Sequence, residues 1–201
     1  MINISKTKIK IYADGADLND YITLKKSKFI KGYTTNPSLM RQAGIKNYKS
    51  FAPTNIIDFK LYPFVSSLCR KLKKKYLLIV VTNQPDLKKG KLKIDQLNLM
   101  HIKLKKKINY DKLYYCSSLS LKSKFKKPNP GMLLKSINEY NIDTNKSFLI
   151  GDRWSDIEAG KKINCKTIFI NRNYKEKKPK DVDFIVKSFK KAVETIYNDK
   201  H

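Results

Sequence analysis

Apolar residues recur at two periods along this chain. Leu61, Phe64, Val65, Leu68 and Leu72 follow the three-to-four spacing of a helix with one buried face. Ile94, Leu97, Met100, His101, Leu104 and Ile108 repeat that spacing and predict the next helix. Between the two, Tyr76-Leu77-Leu78-Ile79-Val80-Val81 is apolar throughout, as a strand buried on both faces is. Lys112 to Tyr115, Ser147 to Ile150 and Lys166 to Ile170 read as further strands, with Asp183 to Val186 as a small edge strand. Pro130 to Tyr140, Asp156 to Ile163 and Phe189 to Tyr197 read as helices.

Upstream of Ala52-Pro53 the texture differs. Lys8 to Ala13 alternates and predicts a strand ending at Asp14-Gly15. Asp17 to Lys25 reads as a short helix with Asp17 near its N-cap, and Phe29 to Tyr33 as a second strand. Thr34-Thr35-Asn36-Pro37 makes a turn, and Pro37 opens a helix through Ala43. Asn47 to Phe51 is a further helical turn. Strand and helix alternate from end to end. This predicts an α/β fold, three layers around a mostly parallel sheet in the Rossmann-like manner, with ligands at the strand C-termini.

At 201 residues the chain is long enough for one full core with an appendage. The change of texture divides it into an N-terminal segment, 1–52, and a main domain, 53–201. The longest apolar run, Tyr76 to Val81, is far short of a membrane span, so no membrane partner is expected. Met1-Ile2-Asn3-Ile4-Ser5-Lys6 lacks the apolar stretch of a secretory signal. Cys69, Cys116 and Cys165 are odd in number and scattered, which fits a reduced, cytoplasmic setting better than a disulfide framework. The sequence carries no signal of oligomeric state.

The net charge of +27 raises the question of nucleic acid. The basic residues are 40 Lys and 4 Arg, whereas base readers lean on arginine for bidentate contacts. Lys71-Leu72-Lys73-Lys74-Lys75 and Lys103-Leu104-Lys105-Lys106-Lys107 fall on amphipathic helices and read as solvated faces. Nucleic acid is therefore not the expected partner. A nucleic-acid 3′-phosphatase stays as a minor reading, and an anionic substrate fits the charge equally well.

Three groups of polar residues fall at predicted strand ends. Thr82-Asn83-Gln84 follows the apolar strand and offers a hydroxyl and two amides to phosphate oxygens. Lys126-Lys127 precedes Pro128-Asn129-Pro130-Gly131, beside a helix N-terminus that also favours an anion. Gly151-Asp152-Arg153-Trp154-Ser155-Asp156 follows Ser147 to Ile150 and sets two carboxylates four residues apart. A carboxylate at such an edge is a hard-oxygen ligand for Mg²⁺.

In this order the groups resemble motifs II, III and IV of haloacid-dehalogenase-type (HAD) phosphatases. Val80 to Gln84, Tyr114-Tyr115-Cys116, Lys126 to Leu134, Ile142-Asp143 and Gly151 to Gly160 look like the branch containing heptose bisphosphate phosphatase and histidinol phosphatase. The likeness spans roughly Asn55 to Tyr197. It implies a Mg²⁺-dependent phosphatase acting through an aspartyl-phosphate on a small phosphorylated sugar, as in heptose or surface-polysaccharide synthesis. By the same resemblance Thr82 binds the transferring phosphoryl group and Lys127 stabilises it. Asp152 binds Mg²⁺, and Asp156 supports the metal or Lys127, unless it only caps its helix. Asn83, Gln84, Lys126 and Arg153 lie toward the substrate. Zinc-bearing relatives carry Cys-x-His and Cys-x-Cys before the Lys-Pro, but Cys116 to Phe125 here has one Cys and no His, so no structural zinc is expected. The same short loop suggests an open site with little or no cap.

The family's first motif is a strand followed by Asp-x-Asp-Gly, whose first Asp attacks phosphorus and whose second is the acid/base. The nearest match is Ile11-Tyr12-Ala13-Asp14-Gly15-Ala16-Asp17. Aligned on Asp14-Gly15, Tyr12 stands at the nucleophile position. Aligned on the strand end, Asp14 is the nucleophile and a metal ligand, and Ala16 replaces the acid/base. Lys8 to Leu18 and Phe29 to Gly44 also resemble the first two strand–helix units of a transaldolase, over about Lys8 to Phe51. Two such units cannot close an eight-stranded barrel. Two expectations stay open. Either Lys8 to Ala13 supplies the first strand and Asp14 completes a phosphatase, or the chain is a phosphosugar-binding protein without its nucleophile.

Overall fold

The computed structural model describes residues 11–14, 30–34, 53–62 and 64–199, the first two stretches as backbone only. The chain divides into two units, Met1–Ala52 and Pro53–His201. In the first, β1 (Ile11–Asp14) and β2 (Ile30–Thr34) pair in parallel, with a register shift between Ile11 and Tyr12. The expected helices at Asp17–Lys25 and Pro37–Ala43, and the turn at Asn47–Phe51, lie outside the described residues, as do the side chains of β1 and β2. The likeness of this segment to a transaldolase is therefore untouched by the geometry.

The second unit runs α1 (Val65–Leu72), β3 (Ile79–Asn83), α2 (Pro85–Lys88), α3 (Ile94–Ile108), β4 (Lys112–Cys116), α4 (Gly131–Tyr140), β5 (Phe148–Gly151), α5 (Trp154–Lys161), β6 (Lys166–Ile170), β7 (Phe184–Val186) and α6 (Phe189–Asn198). Among the described residues β3 pairs with β4, and β5 with β6 and then β7, every pair parallel. The predicted α/β class with parallel sheets is what the backbone shows.

Strand alternation decides which helix covers which face. In β3, Val80 and the preceding Leu78 pack with Cys69 of α1 and Ile108 of α3, whereas Ile79 and Val81 pack with Met132 of α4. In β5, Phe148 and Ile150 join Leu72 of α1 and Ala192, Val193 and Ile196 of α6. Leu149, of opposite parity, meets Gly160 of α5, as does Thr167 of β6. Helices α1, α3 and α6 therefore cover one face, and α4 and α5 the other, giving the three layers the sequence predicts.

Several boundaries differ from the sequence expectation. Helix α1 begins at Val65, leaving Leu61 and Phe64 outside, and ends at Leu72, so Lys73, Lys74 and Lys75 fall in the turn beyond it and not on a helical face. Strand β3 begins at Ile79 and runs through Thr82 and Asn83, which pair with Tyr115 and Cys116. Helix α5 begins at Trp154, two residues before the expected start, and ends at Lys161. The short helix α2 has no counterpart among the predicted elements; Pro85 at its first position suits a helix start. Helices α3 and α4 stop on Asn109 and Asn141 in the left-handed conformation, which asparagine tolerates.

Candidate active site

Strand β3 and the loop before α4 are tied by one side chain. Asn83 Oδ1 accepts from the Lys127 backbone N–H at 3.1 Å, and Asn83 Nδ2 donates to the Lys127 carbonyl at 3.1 Å. Fixing that backbone aims the Lys127 side chain across the end of β3. Its ammonium donates to the Val81 carbonyl at 2.8 Å and lies 2.6 Å from Asp156 Oδ1. The two side chains are 10% and 11% exposed, so this is a largely desolvated ion pair. Such a pair holds together only because its geometry and extra hydrogen bonds offset desolvation. Asp156 supplies one of them, since its Oδ2 accepts the Arg153 backbone N–H at 3.1 Å. It thus closes the first turn of α5 from inside the helix, with Arg153 and not Asp156 as the N-cap, as well as pairing with Lys127.

Gly151, the last residue of β5, is required by close approach. A Cβ there would lie 2.2 Å from Asp156 Cβ and 2.6 Å from Asp156 Oδ2. The glycine lets the carboxylate fold back beneath its own loop.

Asp152 is held differently. Its Oδ2 accepts from the Tyr174 hydroxyl at 2.9 Å. The Arg153 guanidinium lies over the Tyr174 ring, 4.1 Å from its centroid, and donates to Glu176 Oε2 at 2.8 Å. Burial, and then the Asp152 charge, push the Tyr174 hydroxyl well above the usual phenol range, so it remains a donor. Burial would lower the Arg153 pKa, but the Glu176 hydrogen bond and charge more than offset this and raise it. Sequence reasoning misses Tyr174. It lies in a loop 22 residues beyond Asp152 and belongs to none of the recognised motifs.

The other predicted residues divide. Thr82 stands in β3 beside Asn83, its hydroxyl within 3.4 Å of Gln84 Nε2. The Gln84 backbone N–H donates to Cys116 O. Lys126 turns to its own loop, donating to Leu119 O at 2.6 Å. Cys116 is a buried strand-end residue with Sγ 3.8 Å from Ser123 Oγ. Direct contacts join Val81, Asn83, Lys127, Asp156 and the Arg153 backbone, while the Asp152 side chain is held by Tyr174 and Lys126 by its own loop. The Asp14 side chain lies outside the described residues. Among the described residues no three His, Cys, Asp or Glu side chains gather as a metal cluster, and no helix is long and apolar enough to cross a membrane.

A buried lysine locked to a carboxylate one turn past a glycine–aspartate strand end is the centre of this arrangement, and the chain around it has known relatives. A HAD-hydrolase-like family model matches residues 124–192. The D-glycero-alpha-D-manno-heptose-1,7-bisphosphate 7-phosphatase of Campylobacter jejuni is 34% identical over 149 residues, 71% of this chain and 86% of the relative. The beta-anomer 7-phosphatase of Pasteurella multocida is 34% identical over 128 residues, 56% of this chain and 70% of the relative. The chain belongs to the HAD-like heptose bisphosphate phosphatase family. In fold it is similar to the D,D-heptose 1,7-bisphosphate phosphatase of B. bronchiseptica, crystallised with magnesium and phosphate. There the TM-score is 0.66 at 18% identity, covering 73% of this chain and 89% of that one. A putative HAD-like phosphatase of Mesorhizobium loti aligns with a TM-score of 0.57 at 18% identity, covering 74% and 81%. Family membership rests on the two relatives above 30% identity, and the solved structures show the fold.

Proposed function

We propose that this chain is a Mg²⁺-dependent phosphatase of a small phosphorylated sugar of the heptose bisphosphate kind. The observation that carries the reading is the Lys127–Asp156 pair at the ends of β3 and β5. It holds a fixed, poorly solvated positive charge against the Val81 carbonyl, one residue before Thr82 in β3, and against Asp156, four residues beyond Asp152. Charge preorganised in this way stabilises a transferring phosphoryl group far better than a solvated lysine does. Two heptose bisphosphate phosphatases above 30% identity support the substrate class.

In this reading Asp14 is the nucleophile and a second carboxylate at the site. Its oxygen forms a bond to phosphorus as the bond from phosphorus to the sugar oxygen breaks, and, with Ala16 in place of the acid/base, the sugar oxygen takes its proton from water. Water then hydrolyses the aspartyl-phosphate. Thr82 donates to a phosphoryl oxygen, and Lys127 offsets the charge on that group and on the carboxylates. Asn83 works through Lys127, whose backbone it holds. Asp152 offers the hard carboxylate oxygen that Mg²⁺ prefers, and a Mg²⁺ site commonly needs only one or two carboxylates beside phosphate and water. Among the described residues Asp152 supplies one such oxygen, and in this reading Asp14 would supply the other. When bound, Mg²⁺ would draw off charge from the phosphoryl oxygens. Arg153, beside Asp152, faces the part of the substrate that is not transferred.

One sequence feature favours a second reading. The chain has no Asp-x-Asp-Gly, and Ala16 stands where the acid/base would be. A protein that binds the phosphosugar without hydrolysing it would keep Lys127 and Thr82 and dispense with Asp14. Phosphate release from D-glycero-D-manno-heptose 1,7-bisphosphate, with Mg²⁺ and with a chelator, decides between them. The phosphatase reading expects release that Asp14→Asn and Asp152→Asn each abolish. Binding of the bisphosphate with no Mg²⁺-dependent release selects the second reading, and unchanged turnover in both variants overturns the site assignment.

A further inference from the structure

Residues Asn171 to Lys178 lead away from the end of β6 and lie along the Asp152–Trp154 loop. Three contacts fasten this strap to three consecutive residues. Tyr174 Oη donates to Asp152 Oδ2 at 2.9 Å, Arg153 donates to Glu176 Oε2 at 2.8 Å, and Lys177 Nζ sits 4.8 Å from the Trp154 ring centroid. Tyr174 makes two of its own contacts there. Its hydroxyl holds Asp152, and its ring face carries the Arg153 guanidinium 4.1 Å away. A strap held only for packing would need neither the hydroxyl nor a carboxylate partner.

The position of that hydrogen bond matters. A carboxylate at a strand end can rotate about two side-chain torsions, and ordering it costs free energy when an ion binds. A donor fixed to Oδ2 restricts the plane of the group in advance and leaves Oδ1 for the ion. Carboxylates that ligate metals are commonly held in this way by an outer partner, and losing the partner weakens metal affinity. Resting on the reading above, in which Asp152 is a Mg²⁺ ligand, we propose that Tyr174 is a positioning residue that orients the Asp152 carboxylate for the ion.

The test is Tyr174→Phe, which removes one oxygen and keeps the ring beneath Arg153. Mg²⁺ affinity of the full chain is measured by isothermal titration in inorganic phosphate buffer, with Mn²⁺ and electron paramagnetic resonance as a second probe. Thermal unfolding is followed in parallel. The expected result is Mg²⁺ binding weakened about tenfold to a hundredfold with the unfolding midpoint essentially unchanged. Glu176→Gln, which loosens the strap but keeps the hydroxyl, should shift Mg²⁺ affinity less than Tyr174→Phe. Equal affinity in wild type and Tyr174→Phe overturns the inference and leaves the phosphatase reading standing. Tighter binding in Tyr174→Phe also overturns it, by making the hydroxyl a competitor of the ion. Equal weakening in both variants overturns it too, since the strap as a whole would then be responsible. A wild-type protein that binds neither ion overturns the metal reading itself.

Discussion

Asp156 joins two elements through its two oxygens: Oδ1 lies 2.6 Å from the Lys127 ammonium while Oδ2 accepts the Arg153 backbone N–H at 3.1 Å. Asp156→Asn keeps an oxygen for the helix turn but leaves Lys127 without its counter-charge. Stability should fall by about 3 kcal/mol, the range for removing one partner of a buried pair, as read from urea denaturation. Lys127→Met combined with Asp156→Asn should cost less than the sum of the single changes, with a coupling of about 1 kcal/mol or more. A sum that is strictly additive would show that the pair is not coupled.

Two glycines separate crowding from backbone strain. Gly151→Ala drives a methyl into Asp156 and should destabilise the protein by about 1–3 kcal/mol while lowering turnover through the displaced Lys127–Asp156 pair. Gly90 has φ of +67°, and a methyl added to it would meet nothing within 4 Å. Gly90→Ala should cost about 1 kcal/mol and leave turnover unchanged. Thermal unfolding and phosphate release on both variants check the contrast.

Asn83 should matter for rate more than for binding. Its two hydrogen bonds to the Lys127 backbone vanish in Asn83→Ala, leaving a partly buried N–H and carbonyl to find other partners. A stability loss of about 1–2 kcal/mol is expected. Because Lys127 acts on the transferring group, kcat should fall more than KM rises. Steady-state kinetics that show only a KM effect would place Asn83 on the substrate itself.

Acid stability should depend on Asp111. Burial alone would raise its pKa, but a hydrogen bond from Lys73, the Leu78 backbone N–H at 2.8 Å, and the Lys73 and Lys105 charges hold it below the ordinary 3.8. A carboxylate depressed in the folded state contributes stability at pH above its unfolded value, and loses it as pH falls through the folded value. The stability gap between wild type and Asp111→Asn should therefore be full near neutral pH and should close below about pH 4. Urea denaturation at a series of pH values reads it, and a gap that widens in acid would contradict the assignment.

Apolar pattern makes most of the second unit legible. Strand β6 can be read at its full length because five residues, Lys166 to Ile170, form one apolar-rich run with four of them buried. The pattern places β3 too early because its last residues, Thr82 and Asn83, are polar and owe their strand geometry to pairing with β4. It places the start of α5 too late because Asp156 resembles a cap at the helix boundary. In the fold Asp156 caps from inside the first turn, reaching back to Arg153. Motifs single out Lys127 and Asp156 but leave open whether Asp156 serves the lysine or the metal, because their contact joins residues from separate strand–helix units. Lys126 shows the converse. Adjacent in sequence to the key lysine, it binds its own loop. Tyr174 is invisible in the sequence because it meets Asp152 only once β6 has folded beside β5.

The Val81 carbonyl carries one further consequence. Leu78 O and Gln84 N–H both bond toward β4, so residues of even number in this stretch face that neighbour and Val81 O points to the opposite edge. Among the described residues it is the Lys127 ammonium that bonds this carbonyl. An anion at the site would compete with the Val81 carbonyl for the ammonium, so ligand binding there would be felt directly in the backbone of β3.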